Sequence, residues 1–257
     1  MVFAAALFLA VNSFFLVNWQ KEIKITKLEA EEAARPAEIK ITALTASDCP
    51  ECFNLDSLLA ALKKNSQLNI IEERTIDYNS EEGSSLTVKY NFAKLPALII
   101  EGETEKALNN AAFLNNFGKM SQGVFILDKL PPPYLEKATG LVRGRYTLTY
   151  LTDNSCSECY DVTLHGRILE QGLSARPFEQ RTVDRSSSDG RKLLADYLIE
   201  KLPTIILTGD MAEYQTLSQA WPQVGTVEED GTYVFRATEV MGTYFDLKTG
   251  KVVTAEK

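Results

Sequence analysis

Histidine is almost missing: the 257 residues hold one, His165. No site built from several imidazoles can be assembled from it. No Lys- or Arg-rich run occurs either, and 35 Asp and Glu outweigh 27 Lys and Arg, for a formal net charge of −8. That balance speaks against nucleic acid as a partner. Four cysteines are too few to staple a chain of this length. There is no glycine-rich phosphate loop, and no Ser–His–Asp arrangement can be drawn around the single histidine. The apolar share, 45%, is ample for packed cores, and the length fits two domains of ordinary size.

One long apolar run is present. Between Val2 and Val17 only Asn12 and Ser13 are polar, and Trp19 follows at the edge. The reading is a single-pass membrane anchor over residues 1–19, with Trp19 at the interface. A cleaved signal peptide would want a basic start and small residues after the run, where Phe14, Phe15 and Leu16 stand instead. Residues 20–37 are charged and rich in Ala and Glu, a linker or stalk that stops at Pro36. The expected location is the cell membrane, with the folded part outside the cytoplasm.

The remainder repeats itself. In one ungapped register, residues 39–102 lie on residues 146–209. Cys49 falls on Cys156, Cys52 on Cys159, Arg74-Thr75 on Arg181-Thr182, Asp77 on Asp184, and Lys94-Leu95-Pro96 on Lys201-Leu202-Pro203. Farther on, Tyr134–Gly140 echoes Tyr244–Gly250. Two homologous domains are therefore expected, 38–143 and 144–257. Each opens with an alternating strand, Glu38–Leu44 or Arg145–Leu151. A CxxC motif follows, with Asp48 or Ser155 placed as a helix N-cap. Leu55, Leu58, Leu59 and Leu62 recur at helical spacing. A strand ending in Asp77 or Asp184, a short helix, and an apolar strand after the Leu-Pro step complete the unit. Gly123–Asp128 and Gly231–Arg236 read as further strands leading to a Thr-Gly hairpin.

A cysteine in the first turn of a helix meets unpaired backbone N–H groups and the positive end of the helix dipole. Both stabilise the thiolate, which is the nucleophile. Cys49 and Cys156 would then attack a disulfide, and Cys52 and Cys159, one turn on, would resolve the mixed disulfide. Other uses stay open. A disulfide closing so small a loop contributes only about 2 kcal/mol as a staple. Four thiolates could hold zinc, but the pairs sit in separate repeats, and one pair could hold a soft metal such as Cu(I).

A strand, a CxxC, and a proline preceding an apolar strand, twice over, resembles the thioredoxin and glutaredoxin superfamily, in the plan of a double-domain protein disulfide oxidoreductase. The resemblance covers residues 38–102 and 145–209. It implies an α/β chain of two tandem thioredoxin-like domains, each a mixed sheet flanked by helices, here with a C-terminal β appendix and an N-terminal transmembrane helix ahead. It implies cis bonds at Leu95-Pro96 and Leu202-Pro203, with Leu95 and Leu202 offering backbone groups to a bound substrate. The activity implied is thiol–disulfide exchange on protein or small-molecule disulfides, needing no cofactor or metal. A non-catalytic binding or assembly module and a copper chaperone are the alternatives. Neither motif has a preceding Trp, and Ala43 and Tyr150 stand where a buried acid is usual. Glu51 and Glu158 inside the motifs would raise the thiol pKa and favour a less oxidising couple.

Four further features carry structural expectations. His165 reads as a surface or partly packed side chain. The Arg74/Asp77 and Arg181/Asp184 pairs read as ties at strand ends. Pro131-Pro132-Pro133 would stiffen the first appendix, and Trp221 would pack on the core or mark a partner surface.

Overall fold

Alternation along β1 (Ala37–Thr45) sends Ile39, Ile41 and Ala43 to one face and Leu44 to the other. A strand apolar on both faces belongs in the middle of a sheet. In the computed structural model, which describes residues 24–254 together with Trp19 and Glu22, β1 takes that place. It pairs in parallel with β2 (Leu68–Asp77) and antiparallel with β4 (Ala97–Gly102). With β6 (Val124–Leu127) and β5 (Gly118–Ser121) the sheet order is β2-β1-β4-β6-β5. Helices α1 (Asp56–Lys64) and α3 (Thr104–Asn110) cover one face through Leu59, Leu62 and Ala107, and α2 (Glu81–Tyr90) covers the other through Tyr90.

The second unit repeats this order as β10-β9-β12-β14-β13. These are β9 (Tyr146–Thr152), β10 (Glu179–Asp184), β12 (Thr204–Gly209), β13 (Gly225–Val227) and β14 (Tyr233–Phe235). Its helices are α4 (Leu164–Arg167), continued by a π turn over Ile168–Gly172, then α5 (Ser188–Asp196) and α6 (Gln215–Ala220). Each unit owns its core clusters, and none is shared across the junction. Trp221 is buried beside Tyr233 and Phe235, which settles it as core.

The shared residues of the repeat fix backbone rather than chemistry. Ser80 and Ser187 cap α2 and α5 by accepting from Gly83 N and Gly190 N. A Cβ on Gly83 would sit 2.0 Å from the Asp77 carbonyl, and one on Gly190 would sit 2.1 Å from that of Asp184. Only glycine allows helix and strand end to meet so closely. Asp77 and Asp184 do not tie their neighbouring arginines. They accept from Ser47 N and Asn154 N, fastening the turn before each cysteine pair to the end of β2 or β10.

Each appendix is a hairpin that forms a small sheet of its own with the Lys-Leu step. The orders are β3-β7-β8 (Lys94–Leu95, Tyr134–Glu136, Leu141–Arg143) and β11-β15-β16 (Lys201–Leu202, Tyr244–Asp246, Lys251–Val253). The predicted anchor lies, apart from Trp19, outside the described residues. Among the described residues no helix is long and apolar enough to cross a membrane. Residues 24–34 are helical, and Arg35 then clamps Glu103, with Nη1 2.7 Å from Oε2.

Candidate functional site

Both cysteine pairs are disulfides, Cys49–Cys52 and Cys156–Cys159, with Cα atoms 5.3 and 5.5 Å apart. Each sits in a turn just beyond its central strand. Cys49 N donates to Ala46 O, and Cys156 N to Asp153 O, so the two turns are built alike.

The cysteines do not cap helices, contrary to the sequence expectation. The first helix of each unit starts only at Asp56 or Leu164. The cause lies in the appendices. Phe53 N donates to Pro133 O at 2.7 Å, and Tyr160 N to Thr243 O at 2.8 Å. The residue after each pair is thereby held by another segment and cannot enter a helical turn. Asn54 and Asp161, at matching positions, then accept from the backbone two residues on, at Asp56 N and Thr163 N. These side chains start the helices, while Asp48 accepts instead from the Tyr78 hydroxyl. The paired recurrence of Asn54 and Asp161 was the sequence signal that pointed there.

Both Leu-Pro bonds are cis, as is Pro132-Pro133. Leu95, Pro96, Leu202 and Pro203 are all buried. Leu95 is paired across the ladder with Leu135, and Leu202 with Phe245. The appendix strand thus lies along the backbone edge that the resemblance assigned to a substrate at Leu95 and Leu202. Burial follows from the same pairing, since β7 and β15 lay side chains over the step.

Exposure distinguishes the four sulfur-bearing residues. Cys49 is only 4% exposed and packs with Tyr78, Phe92, Leu95 and Leu135. Cys52, Cys156 and Cys159 are half-buried. Cys159 Sγ lies 3.8 Å from Leu202 O, within reach of an S–H donor once the pair is reduced. Glu51 is engaged by Arg145 of the second unit, whose guanidinium offsets its charge. Arg145 also stacks on Phe178, 5.1 Å from the ring centroid.

Behind the second disulfide lies a polar network that the sequence reading missed. The Tyr160 hydroxyl donates to Pro203 O at 2.9 Å and meets His165 Nε2 at 3.0 Å. His165 is buried, not superficial, with its ring 4.5 Å from that of Phe235. Burial pulls its pKa down to about 4, and burial likewise pushes the Tyr160 phenol up. Because the tyrosine proton points to Pro203, a neutral His165 carries its own proton on Nε2 and donates it. Asp153, in the turn before Cys156, is also buried, and its carboxylate is 2.8 Å from Arg185. A buried acid is therefore present in this unit, just past the strand position where the sequence reading looked for one.

No family model and no curated protein sequence matches the chain. Solved structures similar to it include the NTD_N/C domain of alkylhydroperoxide reductase AhpF from Enterococcus faecalis, at 13% identity and a TM-score of 0.22, over 73% of this chain and 90% of that one. A structure of the AhpF C503A mutant from the same organism is 16% identical, with a TM-score of 0.23, over 74% of this chain and 90% of that one. ERdj5 is 16% identical, with a TM-score of 0.20, over 71% of this chain and 24% of that one. Scores this low carry no argument. Strand order and direction do: a parallel β2-β1 pair followed by antiparallel β4 and β6, with a cysteine pair at the end of the central strand, occurs in both units. Each unit has a thioredoxin-like fold.

Proposed function

We propose that the chain carries out thiol–disulfide exchange with protein or small-molecule disulfides and dithiols through Cys49–Cys52 and Cys156–Cys159. The observation that supports this reading most is the second pair: a disulfide with both residues half-buried and open to solvent, set against the Leu202-Pro203 turn. An incoming thiolate bonds to Cys156 Sγ, the Cys156–Cys159 bond breaks, and Cys159 leaves as a thiolate that takes a proton. Its thiol then donates to Leu202 O. A second thiol attacks the incoming sulfur and releases Cys156, so two thiols become one disulfide and the pair gains two electrons and two protons. A binding or assembly module with an inert disulfide is favoured only in the first unit, by the burial of Cys49.

The full-length protein, equilibrated in buffers of reduced and oxidised glutathione and then alkylated, is expected to show both pairs titrating reversibly under native conditions. Pairs that open only in denaturant would overturn the reading. We also place the protein at the cell membrane, tethered by residues 1–19, with its domains outside the cytoplasm; the apolar run Val2–Val17 supports this. Membrane fractions should then release the protein to detergent but not to high salt, and recovery in the soluble fraction would refute the tether.

A further inference from the structure

The two sulfurs of the first pair face different surroundings. Cys49 is 4% exposed inside an apolar cluster. Cys52 is half-buried and opens on a cleft of about 650 Å³ between the two units. Pro50, Phe53, Pro132 and Pro133 form the near wall of this cleft, and Arg176, Pro177 and Phe178 the far one. On the other side, the first appendix pairs with Lys94-Leu95 and closes over the step beside Cys49. A smaller recess of about 210 Å³ under Pro96 touches both cysteines, yet leaves Cys49 nearly covered.

We propose that exchange at the first disulfide enters through Cys52 from the cleft between the units, the reverse of the order in the second unit. The proposal rests on the exchange reading above and specifies how it operates at this pair. A thiolate carried on a slender chain bonds to Cys52 Sγ. The Cys49–Cys52 bond breaks, and Cys49 leaves with the electron pair and takes a proton from solvent. A second thiol then attacks the sulfur of the first, forming a disulfide and releasing Cys52 as a thiolate, which is protonated in turn. The cleft has the volume of a small-ligand site, too small for a folded domain. Its walls are mainly apolar, and Glu51 on its rim is already held by Arg145. Cys49 is a poor leaving group, because burial in apolar surroundings disfavours its thiolate. Turnover at this pair is accordingly slower than at the second.

The test uses the full chain with Cys156→Ser and Cys159→Ser, so that only the first pair reacts. Adding Cys49→Ser leaves Cys52 free, and adding Cys52→Ser leaves Cys49 free. Each reduced variant is mixed with glutathione disulfide, and the mixed disulfide is followed by mass. Cys52 should react at least tenfold faster than Cys49. Equal or faster reaction at Cys49 overturns the order while leaving exchange intact. Reaction at neither overturns exchange at this pair altogether, and the order with it. Ser57→Trp, on an exposed position of α1 at the cleft, should slow Cys52 about tenfold, and an unchanged rate would refute entry from the cleft. Limiting iodoacetamide on the reduced wild-type chain should label Cys52 before Cys49 and does not depend on any variant folding; labelling of Cys49 first would again overturn the order.

Discussion

Where the first unit carries Ala46, Phe53 and Leu58, the second carries Asp153, Tyr160 and His165 at the matching positions. The backbone around them is the same in both: one turn, one disulfide, one cis Leu-Pro step, one appendix carbonyl on the residue after the pair. The first unit fills the space behind its disulfide with apolar groups. The second carries polar ones at these positions: the Tyr160 hydroxyl donates to Pro203 O and meets His165 Nε2, and Asp153 is paired with the Arg185 cation, since an uncompensated polar group there would be costly. The scaffold was kept by residues that hold backbone, such as Gly83/Gly190 and Asp77/Asp184. The surroundings of sulfur were free to diverge, and two copies of one motif face different chemistry.

The largest effects should come from the central strands. Ile41 in β1 and Leu148 in β9 are matched and fully buried in separate clusters. Ile41→Ala and Leu148→Ala should each cost about 2–5 kcal/mol. Because no cluster spans the junction, denaturant melts followed by hydrogen exchange should show each loss confined to its own unit. A shared loss would make the two units one cooperative body.

His165 gives the next effect. Its pKa is about 4 when folded, below the ordinary value of 6.5, so the unfolded chain binds the proton first. The second unit should therefore lose stability as pH falls from about 6.5 to about 4, by up to about 3 kcal/mol. His165→Leu copies Leu58 of the first unit and should flatten that dependence, read as urea midpoints at pH 7 and pH 4.5.

Tyr160→Phe removes the hydroxyl that joins the motif to Pro203 and should cost about 1 kcal/mol, or somewhat more if His165 is left unpaired. The converse, Phe53→Tyr, offers a hydroxyl with Leu58 beside it and should not stabilise the first unit. Melting of both variants decides whether the polar network belongs to one unit only.

Arg145→Ala should have the smallest effect. Its link to Glu51 joins the two units, but the guanidinium is half exposed, and such pairs contribute about 0–1 kcal/mol and fade with salt. A loss above that range, or one insensitive to salt, would mean that the junction is fastened more tightly than the separate cores imply.

Much of the fold was legible because it repeats. Strand alternation, the helix before the Lys-Leu-Pro step and the Thr-Gly hairpins are local patterns, and two copies in one register reinforce each other. The start of the first helix was not legible at Asp48 and Ser155. Both residue types favour helix caps, but neither caps one: a carbonyl from Pro133 or Thr243, some eighty residues away in each unit, takes the N–H that would have continued the turn. The buried state of His165 was also hidden, since its partners Tyr160 and Phe235 come from two different segments.

Composition and spacing alone determined that this chain is a duplicated α/β protein with two CxxC pairs and little else able to do chemistry, because helix and strand periods and the repeat register are written along the chain. Which sulfur is covered, what lies across the Leu-Pro step and whether a polar group stands behind each disulfide were decided only in three dimensions. Those properties depend on contacts between segments far apart in sequence, where packing and hydrogen-bond satisfaction override any local preference.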